Sequence, residues 1–123
     1  IHNAVKFTKS GGEISLEAGL VIGEAPYEDF IRCAVRDTGI GIPAENLSRI
    51  FERFYRVEKS RTGSGTGLGL SISKHIVEAH GGKIYVESPG YDEINFPGSQ
   101  FHIMLPLSKE ETMLGTEIKI QVV

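Results

Sequence analysis

Two glycine-dense stretches, Asp37-Thr38-Gly39-Ile40-Gly41-Ile42-Pro43 and Gly65-Thr66-Gly67-Leu68-Gly69-Leu70, constrain the fold of this chain more than any other feature. Alternating glycines weaken the interior of a helix or strand. They suit places where the backbone must turn sharply or come close to something else. Each stretch must therefore lie at a junction between elements. The residues before the first, 30–36, read as a strand that delivers the chain to Asp37. Those of the second open into a segment with Leu68, Ile72, Ile76 and Ala79 at helical spacing and Val77 beside them, which predicts a helix over 68–80.

The remaining pattern fills in around these junctions. Residues 1–7 read as the end of a helix, stopped by Gly11-Gly12. From Glu13 to about Ile22 the chain alternates, with Ile14, Leu16 and Ala18 facing one way, as a half-buried strand does. Residues 23–29 form a hairpin-type loop. Residues 43–50 read as a short helix with Pro43 near its first turn. Residues 52–67 have little periodicity and read as a long loop, which in a compact domain calls for a functional reason. Gly81-Gly82 stops the second helix. Strands are expected over 83–87 and 100–105, with a loop at 89–98. A further alternation through Ile118, Ile120 and Val122 predicts an extra edge strand or the start of a following domain. The expected fold is an α/β (α+β) two-layer sandwich, with a mixed sheet of about five strands and helices packed on one face.

Bulk properties exclude several classes. The chain has 123 residues, enough for one core. Its net charge of −3 provides no basic field for nucleic acid. A single cysteine, Cys33, rules out an internal disulfide framework and fits a reducing compartment. No apolar run approaches the ~18 residues of a membrane span. The histidines, His2, His75, His80 and His102, show no metal-ligand spacing. The chain begins without methionine, in what reads as the last turns of a helix, and is expected to be a piece of a longer protein.

Four groups of residues could carry chemistry, and each has a plain structural alternative. Asp37, at a strand end, can accept a hydrogen bond from an exocyclic amine such as that of adenine. Gly39 and Gly41 let the backbone approach a flat ring, and Ile40, Ile42 and Pro43 supply apolar contacts. The same residues also suit a strand-to-helix turn in which Asp37 caps the next segment. The second glycine stretch opens a helix, whose free N–H groups and partial positive charge favour phosphate. It also suits a flexible loop with a helix start. Asn3 and Lys6 lie on one helix face, where an amide oxygen can bind Mg²⁺ and an ammonium can meet phosphate. They also suit a solvated helix end. Arg56 and Arg61 can grip phosphate through their planar forks, or belong to a solvated basic loop. Phe51, Phe54 and Tyr55 are expected to anchor the base of that loop in the core.

Taken together and in this order, the motifs resemble the catalytic, ATP-binding domain of sensor histidine kinases. Asn3-Ala4-Val5-Lys6-Phe7-Thr8 resembles the end of that family's N box and Asp37–Pro43 its G1 box. Phe51-Glu52-Arg53-Phe54-Tyr55-Arg56 resembles the F box and Gly65–Leu70 the G2 box. Gly81-Gly82-Lys83-Ile84 and Gly98-Ser99-Gln100-Phe101 match the family's last strands. The resemblance covers about residues 1–107, and 108–123 is left as a linker with an extra strand or the start of another domain. It implies the layered fold shared with gyrase B and MutL. It also implies ATP and Mg²⁺ as cofactors, with adenine against Asp37 and Mg²⁺ bound by Asn3. Phosphates would be met by Lys6, Arg56, Arg61 and the backbone of Gly65, Thr66, Gly67, Leu68, Gly69 and Leu70. Phe7, Gly39, Gly41, Ile42 and Phe54 complete the implied binding set, and Asn3, Lys6 and Arg56 the catalytic one.

The implied reaction is transfer of the γ-phosphate to a histidine on a separate helical dimerisation domain, in two-component signalling, with a response regulator downstream. The family's phosphoacceptor box is missing from this sequence, and His2 lies inside the N box. No nucleic acid and no membrane contact are expected of this domain, and a cytoplasmic location is, whether the parent kinase is membrane-anchored or not. Two other functions fit the motifs less well. One is another ATPase of the same superfamily, which uses hydrolysis to drive conformational change. The other is a non-catalytic ATP-binding regulatory module. The Phe51–Arg56 segment favours the kinase over the first. Asn3, Asp37 and the intact glycines argue against the second.

Overall fold

The computed structural model describes residues 1–23, 28–57 and 67–107. Along the chain come α1 (His2–Phe7), β1 (Ile14–Val21), β2 (Phe30–Asp37), a single 3₁₀ turn (Ala44–Asn46), α2 (Gly69–Ala79), β3 (Lys83–Glu87) and β4 (Ser99–Pro106). The strands form one sheet in the order β1-β2-β4-β3, with every neighbouring pair antiparallel. The expected helix-and-sheet sandwich is therefore present, but among the described residues the sheet is antiparallel and not mixed. The cause is the position of β4. β2 and β3 run parallel to each other, but β4 is inserted between them, so no parallel pair shares hydrogen bonds. Among the described residues the sheet has four strands; the fifth, expected near 118–123, lies outside them.

Register sorts the side chains onto two faces. Leu16 lies opposite Val35, Val35 opposite Phe101, and Phe101 opposite Val86. With Ile14, Cys33, Ile84 and Ile103 these residues make an apolar face. Phe51 meets Phe101 on it edge to face, with ring centroids 6.3 Å apart. The opposite face carries Arg32, Ala34, His102 and Tyr85. His102 is buried there, stacked on Tyr85 at 4.5 Å. Arg32 Nη2 lies 3.1 Å from its Nδ1 and Glu87 Oε2 lies 3.1 Å from its Nε2. Because a guanidinium only donates, Nδ1 accepts and Nε2–H donates to Glu87.

Two expectations about burial and one about secondary structure change. β1 is exposed along nearly its whole length, with Leu20 at 50%, because it is the outer strand and the short α1 packs on β2. The helix expected over 68–80 forms, but it is rotated. Val77 is buried against the β3–β4 side and Leu70 faces inward, while Ile72 and Ile76 are 53% and 52% exposed. The helix expected over 43–50 shrinks to one 3₁₀ turn followed by turns.

Gly98 ends the β3–β4 connection with φ +79°, and a Cβ there would run into the carbonyl oxygen of Asp37. A left-handed conformation costs a non-glycine residue ~1–2 kcal/mol before any clash. Gly98→Ala should therefore lower Tm by roughly 5 °C or more. Gly19→Ala, at a site with open space around it, should shift Tm by less than about 2 °C. Thermal melts of both variants check the contrast.

Candidate functional site

The apolar face of the sheet opens at one end into a cavity. Asn3 and Phe7 of α1 and Leu70 of α2 enter it from the helix layer. Asp37, Ile40, Gly41 and Ile42 line it from the turn after β2, and Ser99 and Phe101 from β4. Ile50, Val57 and Tyr91 complete the walls. Most of these walls are apolar. Asn3, Asp37 and Ser99 are the polar side chains that stand out among the lining residues.

Asp37 is the last residue of β2, and strand pairing puts it opposite Ser99. It is 6% exposed. Its Oδ1 accepts a hydrogen bond from the Gly39 amide at 2.9 Å, which folds the chain into a tight turn at the end of the strand. Gly39 in turn lies under α1, and a Cβ at that position would crowd the Phe7 carbonyl. This close approach brings Asn3 and Phe7 to the same cavity as Asp37. Burial raises the Asp37 carboxyl above the ordinary aspartate range, against the lowering effect of the Gly39 and Ser99 amides. Such a carboxylate, held by the backbone and walled by aliphatic side chains, is an acceptor for a ligand N–H.

Of the residues singled out from the sequence, Asn3, Phe7, Asp37, Gly41, Ile42 and Leu70 line this cavity. Gly39 lies directly beneath it, in contact with Asp37 and Phe7. The Lys6 ammonium sits 5.2 Å from the Phe7 ring centroid. Gly67 and Leu68 lead into α2, where Leu68 is the N-cap and Gly69 the first helical residue. Arg56 and Phe54 line a second, more open groove with Arg49, Glu52, Arg53 and Tyr55. Arg61, Gly65 and Thr66 lie outside the described residues. Phe54 departs from its expected place in the core. It is 67% exposed with φ +63°, and its N–H donates to the Gly67 carbonyl at 2.9 Å. That bond closes the two ends of the connection on each other and turns the ring outward. Phe51 and Tyr55 are at least partly covered, the latter through a hydrogen bond to Asn46.

Ser99, Phe101, Ile50, Val57 and Tyr91 were not singled out as binding residues. They reach the cavity through strand register and loop packing, and no local pattern marks them. Among the described residues no group of three or more His, Cys, Asp or Glu side chains could hold a metal ion. A divalent cation here would depend on the Asn3 amide and on oxygens brought by a ligand, which suits Mg²⁺. Among the same residues no helix is long and apolar enough to cross a membrane.

The raised Asp37 carboxyl has a consequence for stability. The folded state holds this proton more tightly than the unfolded chain does. Its contribution is therefore complete below the ordinary aspartate pKa of ~3.9 and is lost as pH rises through the higher folded value. Asp37→Asn keeps an oxygen for the Gly39 amide and removes the buried charge. Its Tm relative to the parent chain should be more favourable at pH 7 than at pH 3. Melts at the two pH values check this, and an equal difference at both would show that the buried charge carries no cost.

Comparison with known proteins agrees with this geometry. The model of the histidine kinase-, DNA gyrase B-, and HSP90-like ATPases matches residues 1–109. The sensor histidine kinase WalK of Bacillus subtilis is 39% identical over 113 residues, covering 90% of this chain and 17% of that protein. WalK of Staphylococcus aureus is 39% identical over 108 residues, covering 86% of this chain and 24% of that protein. The chain thus spans about a fifth of the length of these relatives. Among solved structures, the mycobacterial sensor histidine kinase MprB superposes with a TM-score of 0.70 at 33% identity, covering 85% of this chain and 64% of that one. The catalytic domain of the histidine kinase ThkA superposes with a TM-score of 0.62 at 33% identity, covering 85% and 60%. The chain belongs to the histidine kinase-, DNA gyrase B-, and HSP90-like ATPase family, as a homologue of the catalytic domains of the sensor histidine kinases WalK and MprB.

Proposed function

We propose that this domain binds ATP with Mg²⁺ and supplies the γ-phosphate to a histidine on a separate helical dimerisation domain, from which a response regulator receives it. The observation that carries the reading is Asp37, a carboxylate 6% exposed at the edge of an apolar cavity, with one oxygen already bonded to Gly39. It suits the exocyclic amine of adenine, and Ile40, Ile42 and Phe7 suit the faces and edges of the base. The Asn3 amide would hold Mg²⁺ together with phosphate oxygens, and Lys6 and Arg56 would neutralise phosphate charge. Arg61 and the backbone of Gly65, Thr66, Gly67, Leu68 and Gly69 would meet the phosphates, a role that suits the N-terminus of α2, which begins at Gly69. The chemistry asked of these groups is positioning and charge neutralisation of an in-line transfer.

The names of the relatives support the kinase among the family's activities. The half-exposed Ile72 and Ile76, on the solvent side of α2, offer an apolar surface to a helical partner domain. The proposed setting is the cytoplasm.

An ATP titration of the full chain, with and without Mg²⁺, tests the binding step. Asp37→Ala should weaken binding ~10- to 100-fold, the range for losing a hydrogen bond to a charged group. Undiminished binding by that variant would remove adenine from Asp37, and no binding by the parent chain would overturn the nucleotide reading. Transfer is tested by adding the dimerisation domain of a parent kinase and assaying acid-labile phosphate, expected with the parent chain and lost with Asn3→Ala.

A further inference from the structure

The connection between β3 and β4, residues 88–98, has no part in the reading above. Yet every residue of the 39–42 turn is tied to it. The Gly98 amide donates to the Gly39 carbonyl at 3.0 Å, and the Asp92 amide donates to the Ile40 carbonyl at 2.8 Å. Gly41 pairs with Tyr91 in an isolated β-bridge. The Ile42 amide donates to Ser88 Oγ at 2.9 Å. Contact is so close at Gly41, where φ is +75°, that a Cβ would run into the Gly90 carbonyl.

Ser88 is the point where these ties converge. Its oxygen accepts from Ile42 in the turn. Its single hydroxyl hydrogen has two carbonyls within reach, Gly98 at 2.8 Å and Gly90 at 3.1 Å, one at each end of the loop. The loop is also braced internally. Asp92 Oδ1 accepts from the amides of Ile94 and Asn95 at 2.8 and 3.0 Å, and Asp92 Oδ2 from the Asn95 side chain at 2.7 Å. These donors hold the Asp92 carboxyl below its usual range. A braced loop can impose its shape on a glycine-rich turn that has little preference of its own. Asp37, by contrast, is held by strand pairing and by Gly39.

We propose that Ser88 is a positioning residue for the base end of the nucleotide pocket: its hydroxyl holds the 40–42 wall in place, and Tyr91, carried by the same loop, completes that wall. The proposal rests on the ATP-binding reading, so its test must fail separately from that one. Ser88→Ala in the full chain should weaken ATP and adenosine by a similar factor, about tenfold. Binding of Mg²⁺-tripolyphosphate, which has no base, should stay within about twofold, and Ser88→Thr should restore most of the loss. Tyr91→Ala leaves the Ser88 ties intact and should likewise weaken ATP and adenosine several-fold while sparing tripolyphosphate. If Ser88→Ala does not fold, Ser88→Cys, with only a weak donor and a weak acceptor in place of the hydroxyl, decides the matter and should show the same selective loss. Unchanged ATP binding in the folded variants overturns the proposal, as does an equal loss for tripolyphosphate, which would mark a general structural role. A parent chain that binds neither ATP nor adenosine overturns the reading beneath it, and this proposal with it.

Discussion

The antiparallel pairing of β2 with β4 is the constraint on which the rest depends. It runs from Phe30 opposite Pro106 to Asp37 opposite Ser99. This register places Val35 against Phe101 inside, and Ala34 against His102 outside. It also brings the Gly98 backbone against the Asp37 carbonyl, so closely that a side chain at 98 has no room. Slipping the pair by one residue would exchange the two faces and move Asp37 out of its cavity. The site is in this sense the end of a ladder: a carboxylate is buried because its strand stops there with a partner on the inner side.

Around that ladder the described residues build a thin structure. Ala4, Ala34, Ile50 and Val77 are its buried apolar residues. β1 covers one side of β2, while its own Ala18 and Leu20 are exposed. Hydrophobic burial of this extent provides limited stabilisation, and backbone ties assume a larger part in shaping the site. The 39–42 turn shows this most clearly. It has two glycines, no regular structure and a bond to the 88–98 loop at each residue.

The order of elements was legible because each has a local cause. The Gly81-Gly82 stop, the alternation through Ile84 and Val86, and the helical spacing after Gly69 all led to elements that are present. Burial was less legible. The stripe of Ile72 and Ile76 has the spacing of a packed helix face, yet the helix turns Val77 inward. Periodicity shows that a helix has an apolar side; it does not say whether the protein's own sheet covers it. Phe54 reads as a core aromatic from its residue type, yet it is exposed, with φ +63° and its N–H bonded to the Gly67 carbonyl.

By itself the sequence determined the junctions, the family and the chemically capable side chains. Asn3, Asp37 and the glycines are recognisable because short-range rules, of turn chemistry and of donor and acceptor type, apply wherever the chain folds. Only the tertiary structure decided which of them meet. Asn3, Asp37, Leu70, Tyr91 and Phe101 share one cavity across most of the chain's described length. Inserting β4 between β2 and β3 is what joins them and what makes the sheet antiparallel throughout. Strand order follows from long-range competition for hydrogen-bonding edges and apolar cover, and no local segment records its outcome.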